Sequence, residues 1–249
     1  MKTLAALSLV LMSLVSNCLN SFAAPPTTES QTAAQPTEIR DVEGWKLEIA
    51  PRLLTDQADL TARAVELLRT QLHEIVRVVP KVAVAELQKV PLYFSAEYPG
   101  EKPRAEFHPG AGWLRDHGRD PRMVKGVEFS NISIFEAETR RMPNFALHEL
   151  AHAYHNLVLE DSFGNREIIA AYEQAKTSGL YNQVERRDSR GRTSVERAYA
   201  MTTAMEYFAE TTEAYFSRND FFPFTQAELQ RHDPHMFALL TKLWQVENH

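Results

Sequence analysis

Apolar residues recur along this chain at two spacings, one typical of strands and one typical of helices. Apolar and polar residues alternate at Trp45–Ile49 and at residues 127–135, which predicts two half-buried strands, and residues 90–94 predict a third. Between residues 56 and 79 the apolar positions follow helical spacing, and Pro80 should end that helix. A small sheet is therefore expected in the first half of the chain.

The second half of the chain is predicted to be mainly helical. Residues 143–159 have a proline in the first turn of an apolar run, and residues 166–178 stop at Gly179. A long helix is predicted over residues 195–217, and a last one begins at Pro234. The fold class that follows is α+β, rich in helix, with a small mixed sheet.

The beginning of the chain has the pattern of a secretory signal peptide. Lys2 precedes an apolar run over residues 4–15, and Ser21 and Ala23 are small residues at the positions that a signal peptidase reads. We expect residues 1–23 to be removed. The mature protein is then expected to be secreted or periplasmic, without stable membrane insertion, because the apolar run is too short for a comfortable membrane span.

The region after the predicted signal peptide has little to bury. Residues 24–40 are rich in Pro, Thr, Ala and Gln and predict a flexible linker, so residues 41–249 are expected to form one domain. The single cysteine, Cys18, lies in the segment to be removed, which excludes disulfides and thiol chemistry in the mature protein. Lipid attachment at Cys18 is disfavoured because Asn17, rather than a small residue, precedes it.

The overall composition narrows the possible partners. The chain is 44% hydrophobic and 24% charged, which is ordinary for a globular protein and excludes a largely disordered chain. Its formal net charge is −6, so no broad basic surface for nucleic acid is indicated. We therefore expect no nucleic-acid partner.

The clearest chemical motif is His148-Glu149-Leu150-Ala151-His152, within a predicted helix. Histidines four residues apart on a helix project from one face, so they can bind one tetrahedral zinc ion at about 2.0–2.1 Å. A carboxylate beside them can take a proton from a water on the metal, whose pKa the zinc lowers. The motif predicts His148 and His152 as zinc ligands and Glu149 as the general base.

A catalytic zinc also needs a third protein ligand. In metzincins that ligand would be a histidine at position 158, which is Val158 here, so that class is excluded. His155 follows on the same helix, but three residues of one straight helix do not readily close around one ion. A surface or supporting role is the better interpretation of His155.

Acidic residues on the predicted helix 195–217 are better candidates for the third ligand. Tyr199 and Glu206 are seven residues apart and would share one helix face, with Glu210 one turn beyond. Zinc would give Glu206 a partner, and the free N–H of a ligand histidine would give one to Glu210. A solvated acidic face is the alternative, and Glu213 fits that alternative best.

These two motifs together resemble a known family. The histidine motif followed by Glu206-Tyr207-Phe208-Ala209-Glu210 resembles the gluzincins, and Tyr199 seven residues before Glu206 narrows this to the catalytic domains of the anthrax lethal factor-like metallopeptidases. The resemblance covers roughly residues 125–220 and implies a zincin-like fold with an active-site helix. It implies that His148, His152 and Glu206 bind the zinc ion and that Glu149 is the general base. It also implies that Tyr199 donates a hydrogen bond to the developing oxyanion, and that Glu210 supports a ligand histidine.

The expected function is that of a secreted zinc-dependent metallopeptidase with a peptide or protein substrate. Two alternatives stay open: a secreted metal-containing binding domain without catalysis, and a zinc amidase acting on cell-wall peptides. Glu149 beside both histidines argues against the first, since a structural zinc site needs no base. The second uses the same zinc chemistry, so the sequence does not separate it from a peptidase.

Two further segments are candidates for the walls of a cleft. The predicted strand 127–135, with Asn131 and Ser133, suits an edge strand that pairs with substrate backbone, although an ordinary structural strand fits equally well. The Gly-, Pro- and His-rich stretch 99–122 predicts a long irregular loop, which is more often a solvated surface loop than a lid. It contains His108, Trp113, Arg115, His117 and Arg119.

Overall fold

The computed structural model describes residues 37–246. The predicted signal peptide and most of the predicted linker therefore lie outside the described residues. The first strand starts at Glu38, three residues before the domain boundary that the sequence predicted at residue 41.

The described residues form two sheets. The strands are β1 Glu38–Val42, β2 Trp45–Ile49, β3 Leu92–Phe94, β4 Ala105–Phe107, β5 Val127–Phe129, β6 Val184–Arg187 and β7 Thr193–Glu196. The larger sheet has the order β1-β2-β3-β5-β4, with β2, β3 and β5 parallel and the two edge strands antiparallel to their neighbours. Strands β6 and β7 form a separate antiparallel hairpin.

The described residues also form ten α-helices. They are α1 Pro51–Asp56, α2 Ala58–Val78, α3 Lys81–Leu87, α4 Ala111–Asp116, α5 Phe135–Arg141, α6 Phe145–Leu157, α7 Arg166–Ser178, α8 Ala204–Phe216, α9 Gln226–His232 and α10 Pro234–Leu243. None of these helices combines the length and apolar character that a membrane span requires. The predicted class, α+β and rich in helix with a small mixed sheet, is confirmed.

Helix α6 lies at the centre of the core. It contacts α2 on one side, α8 on another and β4 at the sheet edge. Helix α2 covers it with an apolar stripe in which Leu68, Leu72 and Ile75 are fully buried. Each large apolar side chain buried in this way stabilises the fold by about 1.5–3 kcal/mol, so α6 is held firmly from several directions.

The predicted strand 127–135 was wrong beyond Phe129. Only Val127–Phe129 is strand, and a short 3-10 turn leads directly into α5. Strand β5 lies between β3 and β4 and is buried on both faces, so it is not an edge strand. The sheet edge beside α6 is β4.

The predicted helix 195–217 was also wrong in its first part. Its start is strand β7, followed by a 3-10 turn at Tyr199–Met201, and α8 begins only at Ala204. Thr203 caps α8, because its hydroxyl accepts a hydrogen bond from the Glu206 N–H at 3.1 Å. The stretch 99–122 is likewise more ordered than predicted, since it contains β4 and α4.

Candidate metal centre

Three side chains from two helices converge at one point. His148 and His152 project from consecutive turns of α6, and Glu206 projects from the first turn of α8. The Nε2 atom of His148 lies 3.0 Å from Glu206 Oε2 and 3.2 Å from the Nε2 atom of His152. The His152 Nε2 atom lies 3.3 Å from the same Glu206 oxygen.

This triangle has the size that a tetrahedral zinc site requires. Bonds of about 2.0–2.1 Å at tetrahedral angles place neighbouring ligand atoms about 3.3 Å apart. The three atoms also form a chemically suitable set, because two imidazole nitrogens and a carboxylate oxygen are common zinc ligands. The residues therefore fit a zinc ion, and their binding of one stays a prediction.

The second ring nitrogen of His148, Nδ1, has a hydrogen-bond partner of its own. The Nδ1 atom lies 2.6 Å from Oε1 of Glu213, whose carboxylate is fully buried. In the neutral tautomer whose proton is on Nδ1, the Nδ1–H group donates to Glu213 and Nε2 carries a lone pair. That lone pair faces the Glu206 carboxylate and the His152 ring, an arrangement that a cation between them would stabilise.

The glutamate in hydrogen-bond contact with His148 is Glu213 and not the expected Glu210. Glu210 was expected to accept the N–H of a ligand histidine, but its carboxylate lies 3.9 Å from His148 Nδ1 and accepts from Asn219 instead. Glu213, the acid that best fitted the alternative of a solvated face, is the residue in hydrogen-bond contact. Both carboxylates are buried, so neither belongs to a solvated acidic face.

The electrostatics of this group follow from its burial. Burial raises the pKa of both Glu210 and Glu213, and the negative charge of Glu213 raises the pKa of Glu210 further. Burial would lower the pKa of His148, but its hydrogen bonds to Glu206 and Glu213 outweigh this and raise it well above the ordinary value. The surroundings of His148 thus favour positive charge at this point of the molecule.

Glu149 lies on the cleft side of α6, next to the three convergent residues. It is half-buried, and its Oε2 atom accepts a hydrogen bond from the backbone N–H of Phe107 on β4 at 2.9 Å. A backbone donor from the sheet edge therefore orients the predicted base. Glu149 also lines the same cleft as His148 and His152.

Tyr199 reaches the site from a different element than predicted. It lies in the 3-10 turn before α8, and its hydroxyl is 3.4 Å from Glu206 Oε1. The side chain is half exposed and faces the cleft. The structure therefore brings Tyr199 and Glu206 together through a turn rather than along one helix face.

The convergent residues lie in a cleft of about 1120 Å³. Residues 102–107 form one wall and residues 196–202 form another, with α6 between them. Asn131 also lines this cleft, whereas Ser133 donates a hydrogen bond to Glu97 instead. This volume equals that of several amino-acid residues.

A buried arginine fixes the β4 wall. The Arg119 guanidinium donates to Glu106 of β4 at 2.7 Å and to Glu128 of β5 at 2.8 Å, and it also contacts Glu101. It lies over the Tyr98 ring, 4.4 Å from the ring centre. The sequence predicted that Arg119 lies in a solvated loop, but the Arg119 side chain is buried and connects three segments of the chain.

His108 completes this buried network. Its Nε2 atom lies 2.8 Å from Glu128, and both side chains are almost fully buried. Burial alone would raise the pKa of Glu128, but hydrogen bonds that include those from His108 and Tyr98 lower it to about 2. Glu106, His108 and Glu128 are close enough to hold a metal ion, but the Arg119 guanidinium already supplies their positive charge.

His155, His117 and Arg115 are not part of the convergent group. His155 is fully buried between the rings of Phe163 and Phe208, and burial lowers its pKa to about 4. His117 stacks on Trp113 at the surface, with ring centres 4.0 Å apart. Arg115 is exposed, as expected for a surface position.

The sequence did contain a signal for the start of α8. Thr203-Ala204-Met205-Glu206 has the spacing of a helix capping box, which would have placed Glu206 in a first helical turn and Tyr199 outside the helix. No comparable local signal marks Glu213 or Arg119, whose partners are distant in sequence. Comparison of the chain with protein-family models, curated proteins and solved structures found no match.

Proposed function

We propose that this protein is a secreted or periplasmic zinc-dependent metallopeptidase with a zincin-like fold, related in its site to the gluzincins. The observation that carries the proposal is the convergence of His148, His152 and Glu206 at mutual distances of 3.0 to 3.3 Å, beside Glu149. The location of this group in a cleft large enough for a peptide supports hydrolysis of an extended polypeptide.

His148, His152 and Glu206 would hold the ion. A zinc ion bound there supplies Lewis acidity, which lowers the pKa of a water to about 7 and polarises a carbonyl. Glu213 fixes the ring of His148 in the orientation that points Nε2 to the site. The position of Glu206 at the start of α8 adds a favourable helix dipole to its negative charge.

The remaining chemistry belongs to Glu149 and Tyr199. Glu149 accepts the proton of the attacking water and returns it to the leaving amine. The Phe107 N–H holds the carboxylate in place for both transfers. Tyr199 directs its hydroxyl into the cleft, where it donates a hydrogen bond to the oxygen that becomes negative during attack.

The edge of β4 that faces away from β5 binds the substrate backbone, chiefly through the peptide groups of Ala105. Ser130 N–H donates to Arg104 C=O on the β5 side, and Phe107 N–H points to the opposite side, toward Glu149. Because peptide groups alternate along an antiparallel strand, those of Ala105 also face the cleft. Extended peptides of many sequences can pair there, since main-chain bonds require no particular side chain.

The test of this proposal is hydrolysis of a peptide library by zinc-loaded protein. We expect turnover by the wild type and a loss of about 10²–10⁴-fold in Glu149→Gln, because proton transfer is removed. Elemental analysis should find about one zinc per chain in both proteins, since Glu149 is not a ligand. The conservative variant Glu97→Gln, outside the cleft lining, serves as a control with unchanged turnover.

Two outcomes would contradict this proposal, the first for the role of Glu149 and the second for the peptidase activity itself. Near-normal turnover in Glu149→Gln with zinc retained would remove Glu149 from the mechanism. Zinc bound by the wild type, without hydrolysis of any peptide, would favour one of the two alternatives. A parallel assay on cell-wall peptides then separates the amidase from a binding domain without catalysis.

A further inference from the structure

The hairpin formed by β6 and β7 carries an unusually exposed edge. Within residues 37–246, strand β7 pairs with β6 alone, and Thr193, Ser194 and Val195 are all exposed. Val195 is 70% exposed, more than any other large apolar side chain of the described residues. Exposed apolar edge strands attract other strands, and proteins normally cover or charge them.

Hydrogen bonding shows which peptide groups of β7 are free. Arg187 N–H donates to Asp220 C=O and Phe222 N–H donates to Glu185 C=O, each at 2.8 Å, so these groups of β6 point away from β7. The alternate residues of β6 therefore bond to β7, and they pair with Ser194 and Glu196. The peptide groups of Thr193 and Val195 consequently face outward.

The charge of the hairpin favours an acidic partner. Residues 184–197 contain five arginines and three acidic residues, a net charge of +2 in a chain whose formal net charge is −6. Among the described residues no carboxylate lies within 4 Å of Arg190 or Arg197. Two copies of this edge would bring like charges together, which disfavours self-association through β7.

The hairpin is continuous with the proposed active site. Glu196, the last residue of β7, lines the cleft, as do Arg197 and Tyr199 shortly after it. A strand added to β7 would therefore lie at the entrance on the Tyr199 side. Because β7 leads directly to the cleft, one substrate polypeptide could lie along β7 and also enter the cleft.

We propose that the free edge of β7 is an exosite, which binds an extended acidic segment of the polypeptide substrate by strand addition outside the cleft. Val195 contributes outward peptide groups and apolar contact, and Arg190 contributes charge. The inference rests on the proposed peptidase function for the identity of the partner, whereas the binding surface itself is independent of catalysis.

The test uses the full protein and a short fluorescent peptide of alternating glutamate and valine, with anisotropy as the readout. Val195→Pro removes an outward N–H without touching the bonds to β6, and Val195→Thr keeps that N–H. We expect Val195→Pro to weaken binding by about tenfold, the upper range for one lost hydrogen bond, and Val195→Thr to stay near wild type. Circular dichroism verifies the fold of each variant.

A charge reversal provides the second, independent variant. Arg190→Glu should also weaken binding about tenfold at low salt and less at high salt, because exposed charges are screened. Arg166→Glu, an exposed arginine on α7 with 93% of its side chain accessible, is the matched control. Equal binding in wild type, Val195→Pro and Arg190→Glu would overturn the exosite, as would the absence of binding.

Two further measurements keep this proposal separate from the proposed function. Hydrolysis is followed on a peptide without the acidic segment, and binding is measured with and without zinc. Specific binding without any hydrolysis would support the β7 surface and reject the peptidase. A dimer that dissociates in Val195→Pro would assign the edge to a second copy and overturn the exosite.

Discussion

Glu210 and Glu213 lie about one turn apart on α8, and their carboxylates contact different partners. Glu213 accepts from His148 Nδ1 at 2.6 Å, whereas Glu210 accepts from Asn219. Glu213 therefore orients the ring of His148 and raises its pKa, whereas Glu210 does not reach hydrogen-bond distance of this ring. This difference decides which of the two acids affects metal binding.

We expect Glu213→Gln to weaken zinc binding by about 10–100-fold, the usual effect of losing a partner of a metal-bound histidine. Glu210→Gln is the matched control, and its zinc affinity should stay within a few-fold of wild type. Competition with a chromophoric chelator measures both constants. If Glu210→Gln weakened zinc binding more than Glu213→Gln does, Glu210 would be the residue that supports the ligand histidine.

The role of Tyr199 is tested by removing its hydroxyl group. Tyr199→Phe should lower kcat by about 10²–10³-fold, with KM and zinc content nearly unchanged, because the donor acts on the developing oxyanion. Tyr93→Phe is the control, since that hydroxyl bonds to the backbone of Arg122 outside the cleft lining. An equal rate in Tyr199→Phe and wild type would exclude this role.

At the scale of elements, the β4 wall depends on the buried network around Arg119. Glu128 has a pKa of about 2, below the ordinary value of 4.5. A carboxylate with a lowered pKa stabilises the folded state above its unfolded pKa, and that contribution is lost as the pH falls toward the folded pKa. The relevant window is therefore between about pH 4.5 and pH 2.

We predict that the free energy of unfolding falls by about 3 kcal/mol across this window because of Glu128. Urea unfolding between pH 5 and pH 2 measures it. In Glu128→Gln the dependence should be flatter, with lower stability at neutral pH, whereas an exposed control, Glu173→Gln on α7, should follow wild type. Identical pH profiles in Glu128→Gln and wild type would contradict this account.

Elements whose ends are encoded locally were predicted well. Helix α7 spans Arg166–Ser178 as expected, because Asn165 accepts hydrogen bonds from its first turn and Gly179 takes the left-handed conformation at its end. The prediction of a helix over 195–217 was wrong in its first part, because the apolar spacing continues on both sides of Thr203, where the helix is capped. Apolar periodicity alone does not locate a helix start.

Elements that depend on distant partners were not predictable. Strand β4 has only three residues, and its register is set by pairing of Ala105 with Phe129. Similarly, the histidine motif and Glu206 could be found from local spacing, but the choice between Glu210 and Glu213 depends on how α8 packs against α6. Local sequence carries no signal for such contacts.

At the scale of the whole molecule, metal binding should be coupled to stability. Zinc that binds only the folded state adds about 2.7 kcal/mol when free zinc is about 100 times the Kd. For a protein of this size the melting temperature should rise by roughly 5–10 °C. His152→Ala should abolish the rise, and His117→Ala, at the exposed surface, should retain it. Calorimetry with and without a chelator measures the change in melting temperature. If zinc raised the melting temperature of both variants, the metal would bind at a different site.

The order of strands in the larger sheet has a practical consequence for how the protein can be tethered. Glu38, Ile49, Phe94, Phe129 and Ala105 form one row across the sheet, from β1 to β4. Four strand spacings separate the ends of this row by roughly 19 Å. Attachment to a solid support just before Glu38 would therefore hold the protein by the edge opposite β4, and leave the cleft accessible to large substrates.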